Sequence, residues 1–226
     1  MEASQVYRDR TEAGQILAQH VLAEIHDVDP LVLALPRGGV PVAFEVARAL
    51  HAELDIFLVR KLGLPGHEEL AIGAIASGGV RVLNRELIEE LQLSEGLIDR
   101  ITAIEEQELQ RRERLYRENR APLIMRDRTV ILIDDGLATG ASMMAGVRAL
   151  RQQDPRRIIV AVPVGAPETC LEFRVQADEV ICPSTPEPFG AVGAWYDDFS
   201  QTTDNEVRDL LERAARERSL NRTAET

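Results

Sequence analysis

The sequence predicts an α/β fold, a doubly wound and mainly parallel sheet with a small irregular hood, on three observations. Short apolar runs alternate with amphipathic helical patterns over most of the chain. Two runs, residues 31–36 and 130–133, are apolar at successive rather than alternate positions, as in strands covered on both faces. Small-residue turns follow both runs directly and lead into helices, the order of a right-handed strand–helix–strand crossover. No repeat or low-complexity linker interrupts the pattern, so residues 1–226 read as one domain. Its core spans about 27–183, its hood is 184–202 with the N-terminal helix, and a C-terminal helix covers 203–218.

Taken in order, residues 5–25 form the first helix, with Ile16, Leu17, Val21, Leu22 and Ile25 toward the core. Arg8 and Arg10 near its start read as surface charges, and also as ligand candidates in a chain with few cations near its anion sites. After the strand at 31–36, PRGGVP opens a helix whose Pro41 fits the first turn, where a missing N–H costs nothing. Val40, Ala43, Phe44, Ala47 and Leu50 make its buried face. Residues 54–59 are the next strand, ending in Arg60 and Lys61, and 62–69 read as loop. A strand at 70–76 then turns back through Gly78 and Gly79 to 80–83.

Two helices follow over 84–93 and 94–119, capped by Asn84 and Ser94. The second is long and charge-rich. It packs across the sheet with a solvated outer face or, alternatively, forms a coiled-coil arm or dimer surface that would make the protein a homodimer. The strand at 130–133 leads to a helix with Met143, Met144, Val147 and Leu150 on one face. A strand at 156–164, a helix at 167–175 and a short strand at 178–182 complete the alternation. The segment STPEPFGAVGAWYDDF breaks it, gathering Phe189, Trp195, Tyr196 and Phe199 among Gly, Pro and Asp. Thr203 and Glu206 then form a capping box, and 219–226 read as a frayed tail.

Composition narrows the function classes. With 226 residues, 45% hydrophobic but only 4% aromatic, the chain buries a full core made of aliphatic and alanine side chains. A formal charge of −12 argues against a broad nucleic-acid or anionic-membrane surface. Cys170 and Cys182 make no disulfide framework or Cys-x-x-Cys pair and read as core thiols. No run is long and apolar enough to span a membrane, and MEASQVYRDRTEAG lacks a signal-peptide core, so a cytoplasmic setting is expected.

The chemistry concentrates in DDGLATGAS. Gly140 lets backbone approach a ligand, and Thr139 and Ser142 supply hydroxyls. Free N–H groups at the following helix start favour an anion. The adjacent carboxylates of Asp134 and Asp135 would repel a phosphate but accept hydrogen bonds from sugar hydroxyls. Together these features suit a ribose 5-phosphate. A nucleoside-triphosphatase acidic strand would need a Gly-x-x-x-x-Gly-Lys-Ser/Thr loop, which the sequence lacks. A receiver domain would need a phosphoacceptor Asp ending a later strand, and residues 158–164 run into Gly165 and Ala166 instead.

IDDGLATGAS resembles the phosphoribosyl-diphosphate loop of type I phosphoribosyltransferases, most closely the adenine-type version. LPRGG is similar to that family's pyrophosphate loop, and RKLGLPG with its hairpin looks like its flexible catalytic loop. Predicted members of the family carry LPRGGVP, VRKLG and DDGLATGAS together, as this chain does. The resemblance implies that Asp134 and Asp135 hold the ribose hydroxyls while Ala138, Thr139, Gly140, Ala141 and Ser142 cradle the 5-phosphate. It implies diphosphate contacts from Arg37, Gly38, Gly39, Arg60 and Lys61, with an unusual peptide bond before Arg37. Glu68 or Glu69 would supply the acid/base, with His67 beside them in the loop.

VGAWYDDF is similar to the hood of hypoxanthine–guanine transferases, which implies base stacking on Trp195 and Tyr196 and a metal-side role for Asp197. Mg²⁺ would be met by Asp134, Asp135 and Asp197 with the diphosphate oxygens. The expected partners are phosphoribosyl diphosphate and a small heterocyclic acceptor. One departure matters: Ala138 stands where oxopurine transferases carry the Asp that serves the purine ring, which counts against a hypoxanthine–guanine assignment. A non-catalytic module that senses phosphoribosyl diphosphate or a nucleotide is the alternative.

Overall fold

The computed structural model describes residues 6–27, 29–117 and 120–224; the side chains of Glu68 and Glu69 lie outside the described residues. Five parallel strands, β1 (Leu31–Ala34), β2 (Glu53–Ile56), β6 (Thr129–Ile133), β7 (Arg157–Ala161) and β8 (Glu179–Ile181), form one sheet in the order β2-β1-β6-β7-β8. Three more, β3 (Val59–Leu64), β4 (His67–Ala76) and β5 (Val80–Leu83), form an antiparallel sheet in sequence order.

The consecutive apolar residues of β1 and β6 are explained by helices on both faces. Val32, Ala34, Ile131 and Ile133 join a core with helices α1 (Arg10–Glu24), α2 (Gly39–Leu50) and α7 (Asp204–Ala224). Leu31, Leu33, Val130 and Leu132 face the other way, onto α5 (Ala141–Arg151) and α6 (Pro167–Gln176). Strand residues alternate between these two cores because successive Cβ atoms point to opposite faces.

Chain direction fixes where a ligand would sit. From β1 the chain moves outward to β2, and from β6 it moves outward the other way to β7 and β8. The order therefore reverses between β1 and β6, whose last residues Ala34 and Ile133 are paired. A crevice at the carboxyl ends of these two strands is the general ligand position in such sheets.

Several sequence expectations change. The strand expected at 54–59 is two strands. The N–H of Phe57 donates to the Ala34 carbonyl and that of Leu58 to Ser77 Oγ, so the chain leaves the parallel sheet there and pairs with β4. The loop expected at 62–69 is largely strand, turning through Pro65 and Gly66, whose φ of 82° suits glycine. The N-terminal helix starts at Arg10 under an Asp9 cap rather than at residue 5, which lies outside the described residues. Tyr7 is instead a buried bridge partner of Tyr196.

The helix caps at Asn84 and Ser94 form as expected, for α3 (Arg85–Glu90) and α4 (Glu95–Arg117). Ile98, Ile101, Leu109 and Tyr116 of α4 are buried against the antiparallel sheet and α7, which favours the packing reading of this helix over an arm. The Thr203–Glu206 capping box also forms. The segment expected to fray from residue 219 continues as helix to Ala224.

Candidate active site

The two small-residue turns meet at the reversal point. Gly38, the cap of α2, lies so close to Asp135 that a Cβ there would fall on the Asp135 carboxylate. A Cβ on Gly39 would come within 2.8 Å of the Ile133 carbonyl and 2.9 Å of Asp134 Cα. These glycines are therefore needed for turn-on-turn contact, a reason separate from the expected contact with diphosphate. The Pro36–Arg37 peptide bond is cis, at the bond the resemblance singles out.

Asp134 and Asp135 follow β6 into this contact. Asp134 Oδ1 accepts the Asp135 N–H at 2.9 Å. Burial, and then the charge of Asp135, push the Asp134 carboxyl well above the usual carboxylate range. Burial also raises Asp135, and Arg10 opposes that rise. The Arg10 Nε donates to Asp135 Oδ2 at 2.8 Å, with only 11% and 15% of the two side chains exposed. Its guanidinium lies 4.0 Å from the Phe199 ring centroid and also donates to the Ser200 carbonyl. Arg10 is the site residue that sequence reading undervalued. Its signals were a charge near the start of the first helix and a register three and four positions before buried Ala13 and Gly14, while its partner lies 125 positions away.

The phosphate-type turn is built differently. Its outer residues Thr139, Ala141 and Ser142 are exposed. Gly140 caps α5 with φ 68°, and a Cβ there would meet Phe173 at 2.6 Å and Thr169 at 2.9 Å. The first-turn N–H groups of α5 have no acceptor within the helix and face a site open to an anion. Scaffolding comes from behind: Thr169 Oγ1 donates to the Ala138 carbonyl at 2.6 Å, and the Leu137 N–H donates to the Val164 carbonyl at 2.9 Å.

The expected cationic residues separate. Arg37, half-buried, reaches Asp204 at 3.4 Å, and the same carboxylate accepts from Tyr116 Oη at 2.5 Å. That Tyr116 hydrogen bond holds the Asp204 carboxyl below its usual range. Arg60 and Lys61, neighbours on β3, point to opposite faces. Arg60 pairs with Glu105 of α4, whereas Lys61 is exposed and makes no ion pair among the described residues. His67 is exposed at the hairpin tip, and the roles suggested for the Glu68 and Glu69 side chains fall outside the described residues.

The hood corrects the stacking expectation for Tyr196. Its ring is buried against Tyr7 and Phe199, with centroids 5.6 and 5.1 Å away. Its hydroxyl donates to the Asp135 carbonyl at 2.5 Å, and burial pushes its pKa up. No ring face is left open for a base. Trp195 is half-buried, stacked on Phe189 with centroids 6.3 Å apart, and its indole N–H donates to the Phe189 carbonyl at 2.9 Å. Asp197 is exposed, its backbone N–H donates to the Tyr7 carbonyl, and it has no described contact with Asp134 or Asp135. Among the described residues no cluster of three or more His, Cys, Asp or Glu side chains stands ready to hold a metal. Two adjacent carboxylates alone suit a cation such as Mg²⁺, which retains waters and takes phosphate oxygens as ligands.

Comparison with known proteins identifies the fold and the family. The crystal structure of TT1426 from Thermus thermophilus is 43% identical, with a TM-score of 0.84, covering 92% of this chain and 99% of that one. Two Mycobacterium tuberculosis proteins, from strains H37Rv and CDC 1551, carry the provisional name phosphoribosyl transferase. Each is 43% identical over 212 residues, or 94% of this chain. The chain spans about half the length of these relatives, 48% of each. The family model for the phosphoribosyl transferase domain matches residues 4–197. The chain belongs to the phosphoribosyl transferase domain family.

Proposed function

We propose that the protein transfers the 5-phosphoribosyl group of phosphoribosyl diphosphate to a nitrogen of a small heterocyclic acceptor, releasing pyrophosphate. The observation that carries this reading is the meeting of an acid pair and an open helix N-terminus at the reversal point between β1 and β6. The 5-phosphate would take the N–H groups and hydroxyls of Ala138 to Ser142, and the ribose hydroxyls would bond to Asp134 and Asp135. Arg37 and Lys61 would face the leaving diphosphate, and Arg60 would join them only by exchanging Glu105. The acceptor nitrogen then bonds to the anomeric carbon as the carbon–oxygen bond to pyrophosphate breaks. Placing charge around the cationic sugar and the departing anion is the main catalytic device.

Asp134 and Asp135 would hold Mg²⁺, which when bound neutralises diphosphate charge. For Asp135 to act on ribose or metal, its pair with Arg10 must open or be shared. That pair also favours the second reading, a module that binds the sugar phosphate without turning it over.

A screen for pyrophosphate release from phosphoribosyl diphosphate with Mg²⁺, over purines, pyrimidines and their precursors, tests the first reading. Turnover with at least one acceptor, lost in Asp134→Ala, is the expected result. Saturable binding of phosphoribosyl diphosphate with no turnover for any acceptor would favour the second. No binding at millimolar-order ligand, above ordinary substrate constants, would remove both.

A further inference from the structure

Behind the phosphate-type turn lies a feature that the transfer reaction does not use. Cys170 of α6 and Cys182, just after β8, are free thiols whose sulfurs are 3.2 Å apart. Cys170 is 6% exposed, and Cys182 is half-buried and directs its thiol toward the Ser184 carbonyl. Both sulfurs crowd Gly165: a Cβ there would meet Cys170 Sγ at 2.6 Å, Leu137 Cβ at 3.1 Å and Cys182 Sγ at 3.2 Å. Gly165 is the bridge partner of Leu137, two residues before Thr139.

The same helix carries the supports of the turn. Thr169, adjacent to Cys170, bonds the Ala138 carbonyl, and Phe173 fills the space beside Gly140. A change in the seating of α6 on β8 therefore reaches the turn through Thr169 and Phe173. We propose that Cys170 and Cys182 form a reversible disulfide with a hydroperoxide as oxidant, and that closing it loosens the phosphate-binding turn.

The step balances simply. One thiol attacks the peroxide, taking an oxygen to become a sulfenic acid as the other oxygen leaves in water, or in the alcohol when the hydroperoxide is organic. The second thiol then displaces that oxygen as water, forming the S–S bond. Two electrons pass from the sulfur pair to the peroxide, and a dithiol reverses the change. The contact with Cys182 holds the Cys170 thiol below its usual range, while the same contact and burial push Cys182 up. Either thiol can make the first attack and the other then resolves it, since the two sulfurs are already in contact. A disulfide needs its sulfurs about 2 Å apart, so the pair must close by about an ångström, and the coupling holds to the extent that α6 follows.

The coupling to phosphate rests on the proposed function, so the test carries readouts that do not. Arg174 lies between the cysteines, and trypsin therefore separates them unless they are linked. Peroxide treatment of the reduced protein should give a 2 Da mass loss and one linked peptide pair, both reversed by dithiothreitol. Hydrogen exchange at residues 137–142 should speed up several-fold in the oxidised form, and binding of ribose 5-phosphate should weaken about tenfold. Cys182→Ser should show none of these changes under peroxide. No linked pair, or oxidation only to sulfinic acid on one cysteine, would overturn the disulfide. A linked pair with unchanged exchange in the turn would overturn the coupling. Faster exchange in a protein that binds no ribose phosphate in either state would count against the proposed function and leave the switch standing.

Discussion

The two halves of the site meet at one sheet edge but are built on opposite plans. The phosphate-type half is supported from behind and open in front: Thr139, Ala141 and Ser142 are exposed, while Thr169, Phe173 and Val164 brace the backbone. The acid half is closed in front. Arg10 neutralises Asp135, Phe199 covers Arg10, and Tyr196 bonds the Asp135 carbonyl. The reason is electrostatic. Backbone N–H groups can wait in water for an anion at little cost, but two adjacent carboxylates with little solvent repel one another and need a counter-charge. A cationic ligand or a metal would relieve the acid half, and without one Arg10 does so.

This contrast can be broken by substitution. The largest effect is expected from Gly140→Val, which places a branched side chain at φ 68° against Phe173 and Thr169. Strain and overpacking of this kind should cost about 2–4 kcal/mol of stability, and ribose 5-phosphate should no longer raise the melting temperature. Retained binding would mean that the open half does not depend on its rear support. Next comes Arg10→Ala, which leaves the largely buried Asp135 side chain unpaired. A loss of about 2–3 kcal/mol is expected, below the range for fully buried pairs because a tenth or more of each side chain is exposed. Chemical denaturation measures it, and adding Asp135→Asn should recover part of the loss in a double-mutant cycle.

Tyr196→Phe removes the hydroxyl bond to the Asp135 carbonyl and should cost about 1 kcal/mol. A larger fall in turnover than in stability would show that this bond also positions Asp135. Trp195 sharpens the contrast at the hood, since its indole is already satisfied by Phe189. As the only tryptophan it reports this segment alone, and a nucleoside monophosphate and ribose 5-phosphate should change its fluorescence equally. Selective quenching by the nucleotide would restore a stacking role. The smallest effect is expected from Glu105→Gln, which frees Arg60 from a partly exposed pair. Stability should move by less than about 1 kcal/mol, and any gain in diphosphate affinity would place Arg60 at the site.

What the sequence made legible follows the same division. The open half is contiguous in the chain, so a strand, a glycine, two hydroxyl residues and a helix start could be read in one stretch of ten residues or so. The closed half is assembled from Tyr7, Arg10, Asp135, Tyr196 and Phe199, which only the tertiary fold brings together. Arg10 stands three, four and seven positions before buried Ala13, Gly14 and Leu17, so the helical period does place it on the inward stripe; what the sequence hides is its partner, 125 positions away. The break at Phe57–Leu58 was hidden for a related reason. Its apolar run is continuous, and only the Ser77 hydroxyl and the β4 partner reveal that the strand changes sheets. Tyr196 was misjudged because an aromatic ring among glycines looks available until its neighbours are known.

The contact of Gly38 and Gly39 with the acid pair has a consequence for recombination between relatives. The turn before α2 and the turn before α5 are nearly a hundred positions apart, yet the second leaves no room for a methyl group on Gly38 or Gly39 of the first. A chimera with a crossover between them would inherit its two turns from different parents and would have to preserve this interlock by chance. Crossovers after α5, within the β7–α6–β8 stretch, keep both turns from one parent. Hybrids of the second kind should fold far more often, and a shuffled library scored for soluble expression would show where the joint forbids exchange.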